Sequence, residues 1–220
     1  MAARSARLFV IAAPSGAGKT TLVKALVERN PGLTFSISYT TRTKRKTEED
    51  GKDYFFVTEE QFLELEREGE LLESAQVFDN RYGTGRAQVE SRLLEGRDVI
   101  LEIDWQGARQ VRQSKPDCES IFILPPSLAE LERRLRDRRT DSDAVIERRL
   151  EDAIGDISHW NEFDYVIIND DLQKSVLELE AIIAGTGEHE QNRSDHPEIQ
   201  ERVEHILPPP AEPPAADVQE

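Results

Sequence analysis

Five apolar residues, Leu8-Phe9-Val10-Ile11-Ala12, run straight into Ala13-Pro14-Ser15-Gly16-Ala17-Gly18-Lys19-Thr20, and an amphipathic stretch comes directly after. No other feature of the chain restricts its fold as tightly. A buried strand, a glycine-rich turn and a helix joined without a linker form the context in which a phosphate-binding loop works. Glycines let successive backbone N–H groups point into the turn at phosphate oxygens, and the helix N-terminus adds positive potential. Lys19 supplies a point charge for β- and γ-phosphates, and the Thr20 hydroxyl is a candidate Mg²⁺ ligand. Ala13 stands where the general pattern has glycine. Such a loop marks a nucleotide binder, but by itself it does not separate a kinase from a GTPase, a motor or a transporter ATPase.

The chain continues the same alternation. A helix predicted from Thr20 to about Glu28 buries Leu22, Val23, Leu26 and Val27, and Asn30-Pro31-Gly32 stops it. Apolar strands are predicted at Val99–Ile103, Ile121–Leu124 and Tyr165–Ile168, with a last long helix over Leu172–Ile183. Short strands alternating with helices indicate an α/β fold with a central, largely parallel sheet flanked by helices. Two stretches depart from the alternation. From Phe35 to about Gly85, short runs (Phe35–Ser38, Tyr54–Val57, Leu71–Phe78) surround one helix, whose capping box is Thr58-x-x-Gln61 and whose stop is Gly69. This predicts a small mixed β subdomain at about residues 36–85. The second, about 133–158, begins with seven arginines between Arg133 and Arg149, split by the turn-prone Thr140-Asp141-Ser142-Asp143.

Composition narrows the class. With 220 residues the chain suits one α/β domain with insertions, and residues 1–187 are read as that domain. From about Gly185 apolar residues thin out, and Leu207-Pro208-Pro209-Pro210 leads into Ala, Pro and acidic residues. Residues 188–220 are therefore expected to form a mobile tail that buries too little surface to offset its ordering entropy. A net charge of −16 argues against nucleic-acid binding, which needs a broad basic face. The single cysteine, Cys118, precludes an intrachain disulfide and suits a reducing, cytoplasmic compartment. No run of ~18 apolar residues is present, so no membrane association is expected. Four scattered histidines (His159, His189, His196, His205) suggest no metal cluster. No pattern selects a monomer over a homo-oligomer.

The segments beyond the phosphate loop point to a class. Ser36-Ile37-Ser38-Tyr39-Thr40-Thr41-Arg42-Thr43-Lys44-Arg45, then Gly51-Lys52-Asp53-Tyr54-Phe55-Phe56, Leu72-Glu73-Ser74-Ala75 and Tyr82-Gly83-Thr84 occur in order. After them come Leu101-Glu102-Ile103-Asp104-Trp105-Gln106-Gly107, Ile123-Leu124-Pro125-Pro126-Ser127, the arginine segment and Ile168-Asn169-Asp170-Asp171. Over roughly residues 6–184 this series resembles the guanylate kinases. The resemblance implies a P-loop kinase with an inserted GMP-binding β subdomain and an arginine-rich lid, moving the γ-phosphoryl of ATP onto GMP with Mg²⁺. It implies that Arg42, Arg45, Tyr54 and Tyr82 hold the GMP phosphate, that Ser38, Glu73, Thr84 and Asp104 read guanine, and that Glu102 lies beside the transferring group. Lys19, Arg134, Arg138 and Arg149 are implied at the ATP phosphates, and Asn169 near adenine.

Elementary chemistry supports that implication. Guanine presents N1–H and an exocyclic amine side by side, and one carboxylate such as Glu73 accepts both. Adenine has an unprotonated N1 there, a buried mismatch that can discriminate by ~10⁴-fold. Arg42 and Arg45 can both fork onto one phosphate. The acceptor is an ionised phosphate, so in-line positioning and charge stabilisation suffice without a general base. Of the seven arginines, Arg133, Arg136 and Arg139 are expected to be solvated or ion-paired. Lys46 and Thr47 depart from the family's Pro-Gly character after the second arginine, Asp137 and Arg139 flank Arg138 where the family has small residues, and Glu102 replaces Asp. Two other readings stand beside the kinase: a protein-interaction module without turnover, and a kinase for another phosphorylated acceptor.

Overall fold

The five apolar residues of β1 (Leu8–Ala12) are all buried, which sets them at the centre of a sheet covered on both faces. The computed structural model describes residues 5–77, 79–137 and 143–207. After β1 come α1 (Lys19–Arg29), β2 (Leu33–Phe35), β3 (Ser38–Thr40), β4 (Phe55–Phe56), α2 (Glu59–Arg67), β5 (Leu71–Val77) and β6 (Asn80–Gly85). They are followed by α3 (Arg86–Leu94), β7 (Asp98–Glu102), α4 (Trp105–Ser114), β8 (Glu119–Leu124) and α5 (Leu128–Asp137). The chain closes with α6 (Asp143–Ile157), β9 (Tyr165–Ile168), α7 (Leu172–Ala184) and α8 (Pro197–Ile206).

The main sheet has the order β2-β7-β1-β8-β9 and every pairing in it is parallel. Alternate strand residues face opposite layers, so one strand feeds two cores. Val10, Leu101, Phe122 and Val166 pack with Ala108 and Val111 of α4 on one side. Ile11, Ile100, Ile121 and Ile167 pack with Leu22 and Leu26 of α1 and Leu179 of α7 on the other. Each fully buried aliphatic side chain stabilises by ~1.5–3 kcal/mol. Because β1 lies between β7 and β8, connections leave it in both directions, and a crevice opens at the carboxyl ends of these strands. The phosphate loop, Asp104 and Asn169 all sit just past those ends.

The mixed subdomain is a second sheet of order β4-β3-β6-β5, with α2 against it. Here the structure departs slightly from expectation: Leu33–Phe35 belongs to the main sheet, and the second sheet begins at Ser38. The capping box of α2 is present in both directions, and Gly69 at φ 70° succeeds its last turn. In the arginine-rich stretch, α5 and α6 pack through Leu131, Leu135, Ile146 and Ala153. Arg138, Arg139 and the Thr140-Asp141-Ser142 turn lie outside the described residues.

The expected mobile tail requires a correction. A 3-10 turn spans Gly187–Asn192, Arg193 bridges to Tyr165 of β9, and α8 buries Ile199, Val203 and Ile206 in the core shared with α4. The spacing i, i+4, i+7 gives one apolar stripe on α8, and Pro197 at its first turn pre-sets helical φ. Acidic and proline-rich composition, averaged over the segment, concealed that stripe. Residues 208–220 lie outside the described residues.

Candidate functional site

The phosphate loop has the backbone its glycines make possible. Gly16 and Gly18 adopt φ 95° and 97°, which L side chains rarely reach. A Cβ on Gly18 would also stand 2.5 Å from the Asn169 amide nitrogen. Gly18 caps α1 with no side-chain bond, so the first N–H groups of this helix point into the cleft uncapped. The loop is braced from behind. Asn169 Nδ2 donates to Ala17 O at 2.7 Å, and Arg134 donates to Ala17 O at 3.3 Å and to Asn169 O at 3.0 Å. Glu130 fixes Arg134 from one turn away at 2.8 Å, and Arg133 and Arg134 together pull the Glu130 carboxyl down to about 2.

In front of the loop lies a cleft of about 880 Å³, lined by Ala13, Pro14, Ser15, Gly16, Gly18, Lys19 and Thr20 on one wall and by both sheets and α6 elsewhere. Lys19 Nζ donates to Ile103 O at 2.8 Å. Burial lowers its pKa, opposed by the nearby Glu102 and Asp104 carboxylates. The Thr20 hydroxyl hydrogen-bonds the Glu102 carboxylate across the loop. Among the described residues no three His, Cys, Asp or Glu side chains group to hold a metal. The Thr20 and Glu102 oxygens nevertheless suit a Mg²⁺ ion that keeps most of its shell as water and nucleotide phosphate.

Glu73, Ser38 and Asp104 converge on the far side of the cleft. The β5–β6 register explains how Glu73 arrives there. Leu71 pairs with Gly85 and Glu73 with Thr84, so Leu72 is an extra residue, a bulge. Leu71, Leu72 and Glu73 are consequently all buried in succession: Leu72 enters the main core while Glu73 turns to the cleft. Burial pushes the Glu73 carboxyl up to about 7, against the opposing pull of the Thr84 hydroxyl, which donates to it at 2.6 Å. Thr84 is thus buried beneath Glu73 and does not line the cleft. Asp104 caps α4 by accepting from Gly107 N–H at 2.8 Å, and burial raises its pKa too.

Tyr54 and Tyr82 close the cleft beyond Glu73, with rings edge-on at 6.0 Å. Burial raises the Tyr54 hydroxyl to about 12, so it remains a donor at neutral pH. Arg42 and Arg45 are placed differently from expectation. Both Nη atoms of Arg42 engage Glu48, at 3.1 and 2.8 Å, its guanidinium lies 5.3 Å from the Tyr54 ring centroid, and Arg45 is exposed. Neither lines the cleft, although Arg42 borders it through Tyr54 and Tyr82.

The remaining wall is α6. Arg148, Glu151, Asp152, Gly155 and Asp156 share its cleft-facing stripe, whereas Arg149 is half-buried and does not line the cleft. Asp156, pushed up to about 6 by burial, accepts from Trp105 Nε1 at 3.0 Å, and Trp105 stacks on His159 at 3.6 Å. Sequence reasoning missed Arg148 and Asp156; their spacing with Glu151, Asp152 and Gly155 was the available signal. Asn169, implied near adenine, directs its amide to the back of the loop. Arg133 and Arg136 are ion-paired, with Glu130 and Asp137 and with Glu132 and Asp143.

Known proteins share this arrangement of sequence and fold. The family model described as "Guanylate kinase" matches residues 5–186. A guanylate kinase of Hydrogenovibrio crunogenus is 56% identical over 175 residues, covering 80% of this chain and 85% of its relative. One from Vibrio cholerae is 54% identical over 178 residues, covering 80% and 86%. The crystal structure of guanylate kinase from Anaplasma phagocytophilum superimposes with a TM-score of 0.70 at 34% identity, covering 91% of this chain and 95% of that one. A family match across the whole P-loop core, and relatives above half identity over four-fifths of the chain, make this protein a member of the guanylate kinase family.

Proposed function

We propose that the protein transfers the γ-phosphoryl of ATP to GMP, giving ADP and GDP, at the cleft between the phosphate loop and the second sheet. The observation that carries this reading is a buried carboxylate, Glu73, facing the same cleft as an uncapped helix N-terminus and Lys19. One end suits phosphate and the other suits paired N–H donors of a purine.

The roles derive from position and chemistry. Backbone N–H groups of residues 15–20 and Lys19 hold the ATP phosphates, with Asn169 and Arg134 fixing the loop behind them. Glu73 accepts from guanine N1–H and the 2-amino group, Ser38 and Asp104 complete the base contacts, and Thr84 orients Glu73. Tyr54 and Tyr82 donate to the GMP phosphate, and Arg42 and Arg45 turn to it from Glu48 when it binds. Thr20, with Glu102 alongside, would hold Mg²⁺, which would supply charge neutralisation at the phosphate oxygens. Arg148, with Arg138 and Arg149, comes from the arginine-rich lid of about residues 133–158 to complete the positive lining. The acceptor oxygen of GMP is already ionised, so the chain orients two phosphates in line and excludes water. The second sheet serves as the GMP-binding subdomain, and the cytoplasm is assigned as the compartment, where the lone buried thiol stays reduced.

The interaction-module alternative has no observation in its favour: Lys19, Thr20 and the arginines are all retained. A coupled assay of ADP release with ATP and GMP, AMP, CMP or UMP as acceptor tests the assignment. Turnover with GMP far above the others is expected, and AMP turned over as well as GMP overturns it.

A further inference from the structure

Gly107 and Gln110 of α4 follow its cap, Asp104, at i, i+3 spacing on the side of the helix that lies against β5. β5 is the edge strand of the second sheet, bonded to β6 on one side only. Its outer backbone groups at Ser74 are met by a side chain. Gln110 Oε1 accepts from Ser74 N–H at 3.0 Å, and Gln110 Nε2 donates to Ser74 O at 2.6 Å. Only one amide orientation satisfies both bonds, so Gln110 acts as a one-residue surrogate strand. One turn earlier, Gly107 leaves room for the Glu73 carboxylate. A Cβ there would overlap Glu73 Oε2 and lie 3.0 Å from Glu73 Cδ.

We propose that the Gly107–Gln110 face of α4 is a specificity platform: it positions Glu73 against guanine and holds it in register with Asp104 on the same helix. The proposal rests on Glu73 being the base-reading carboxylate. Its physical basis is that Glu73 comes just after a bulge, where the ladder to β6 is interrupted on one flank and the extra residue is left without a partner. Thr84 fixes one carboxylate oxygen, but it belongs to the same sheet and moves with it. Gln110 ties the neighbouring residue to the core, and Gly107 provides the space. Neither Gly107 nor Gln110 lines the cleft, so both act through Glu73.

The test compares kcat/KM for GMP and IMP, which differ only by the 2-amino group, in wild type, Glu73→Gln, Gln110→Leu, Gly107→Ala and Glu73→Gln/Gln110→Leu. Gln110→Leu keeps bulk and removes both bonds. Gly107→Ala raises helix propensity, so a folding defect is not its expected consequence. Each is expected to lower the GMP-to-IMP ratio ~10-fold, the loss of one well-made hydrogen bond, with KM for ATP within about twofold of wild type. On the Glu73→Gln background Gln110→Leu should lower the ratio no further, because the group it positions is already altered. A ratio that falls in Glu73→Gln but is retained in Gln110→Leu and Gly107→Ala overturns the platform alone. A ratio unchanged in Glu73→Gln overturns both the platform and the base-reading role.

Discussion

In the role proposed for it, Glu73 has to be ionised to accept two guanine donors, yet burial holds its carboxyl at about 7. GMP binding below that pH must therefore expel a proton. At pH 8 roughly nine-tenths of the side chain is ionised and at pH 6 roughly one-tenth, so this group alone weakens GMP binding ~10-fold over that interval. The phosphate of GMP titrates near pH 6 as well and adds its own dependence. Glu73→Gln removes the first effect and keeps the second, which makes the difference between the two proteins the diagnostic quantity. Calorimetric titration with GMP at pH 6, 7 and 8, in two buffers of different ionisation enthalpy, should show proton release near pH 6.5 in wild type. The ratio of Kd at pH 6 to Kd at pH 8 should be ~10-fold larger in wild type than in Glu73→Gln. Parallel profiles in the two proteins would refute the reasoning. Stability carries the matching sign. A carboxyl raised from its ordinary 4.5 to about 7 contributes stability that is complete below about 4.5 and is lost as pH rises through about 7. Glu73→Gln should accordingly gain stability relative to wild type above pH 7, by ~1–3 kcal/mol in urea titrations.

Three further outcomes are expected. Ile199→Ala, which opens a cavity where α8 meets the main core, should cost ~2–5 kcal/mol and lower Tm by ~5–15 °C in a calorimetric scan, whereas Leu94→Ala at a site 89% exposed should leave Tm unchanged. Lys19→Met should reduce kcat by ~10²-fold or more with a native circular-dichroism spectrum, because it removes a preorganised charge at the transferring phosphoryl; near-normal turnover would sink the P-loop assignment. Burial pushes the Cys118 thiol up to about 11, so labelling by a thiol-disulfide reagent at pH 8 should be at least ~10²-fold slower in native than in urea-unfolded protein.

The main sheet was legible because its signals are local. Strands buried on both faces read as continuous apolar runs, and β9 falls on Tyr165–Ile168 as predicted while β7 and β8 shift by one or two residues at their ends. Thr58 and Gln61 gave the start of α2 from four residues. The helix α8 failed on the scale of averaging. Its three buried residues are diluted by five Glu, Gln and Arg positions and followed by prolines, so composition outweighed a stripe that only a periodicity count over ten residues reveals.

The site divides along the same physical line. Ala13–Thr20 is one continuous segment whose chemistry stems from residue type and order, and it lines the cleft as such a segment must. Glu73 depends instead on a single extra residue, Leu72, that shifts β5 by one place against β6. Strict alternation would bury only one of Leu72 and Glu73, so a carboxylate next to a core leucine reads as solvent-facing, whereas at the bulge both are buried. Resemblance could nominate Glu73, but no local pattern says what keeps it in place. Gln110 lies 36 residues away from Ser74 on another element, and its role emerges only when an edge strand with unpaired backbone meets a helix face carrying an amide. A glutamine in the middle of an amphipathic helix has no signature in sequence apart from polarity. The phosphate loop is one contiguous motif, while the residues that brace Glu73 are set where helix α4 meets the edge of the second sheet, and in a chain read alone that second group stays silent.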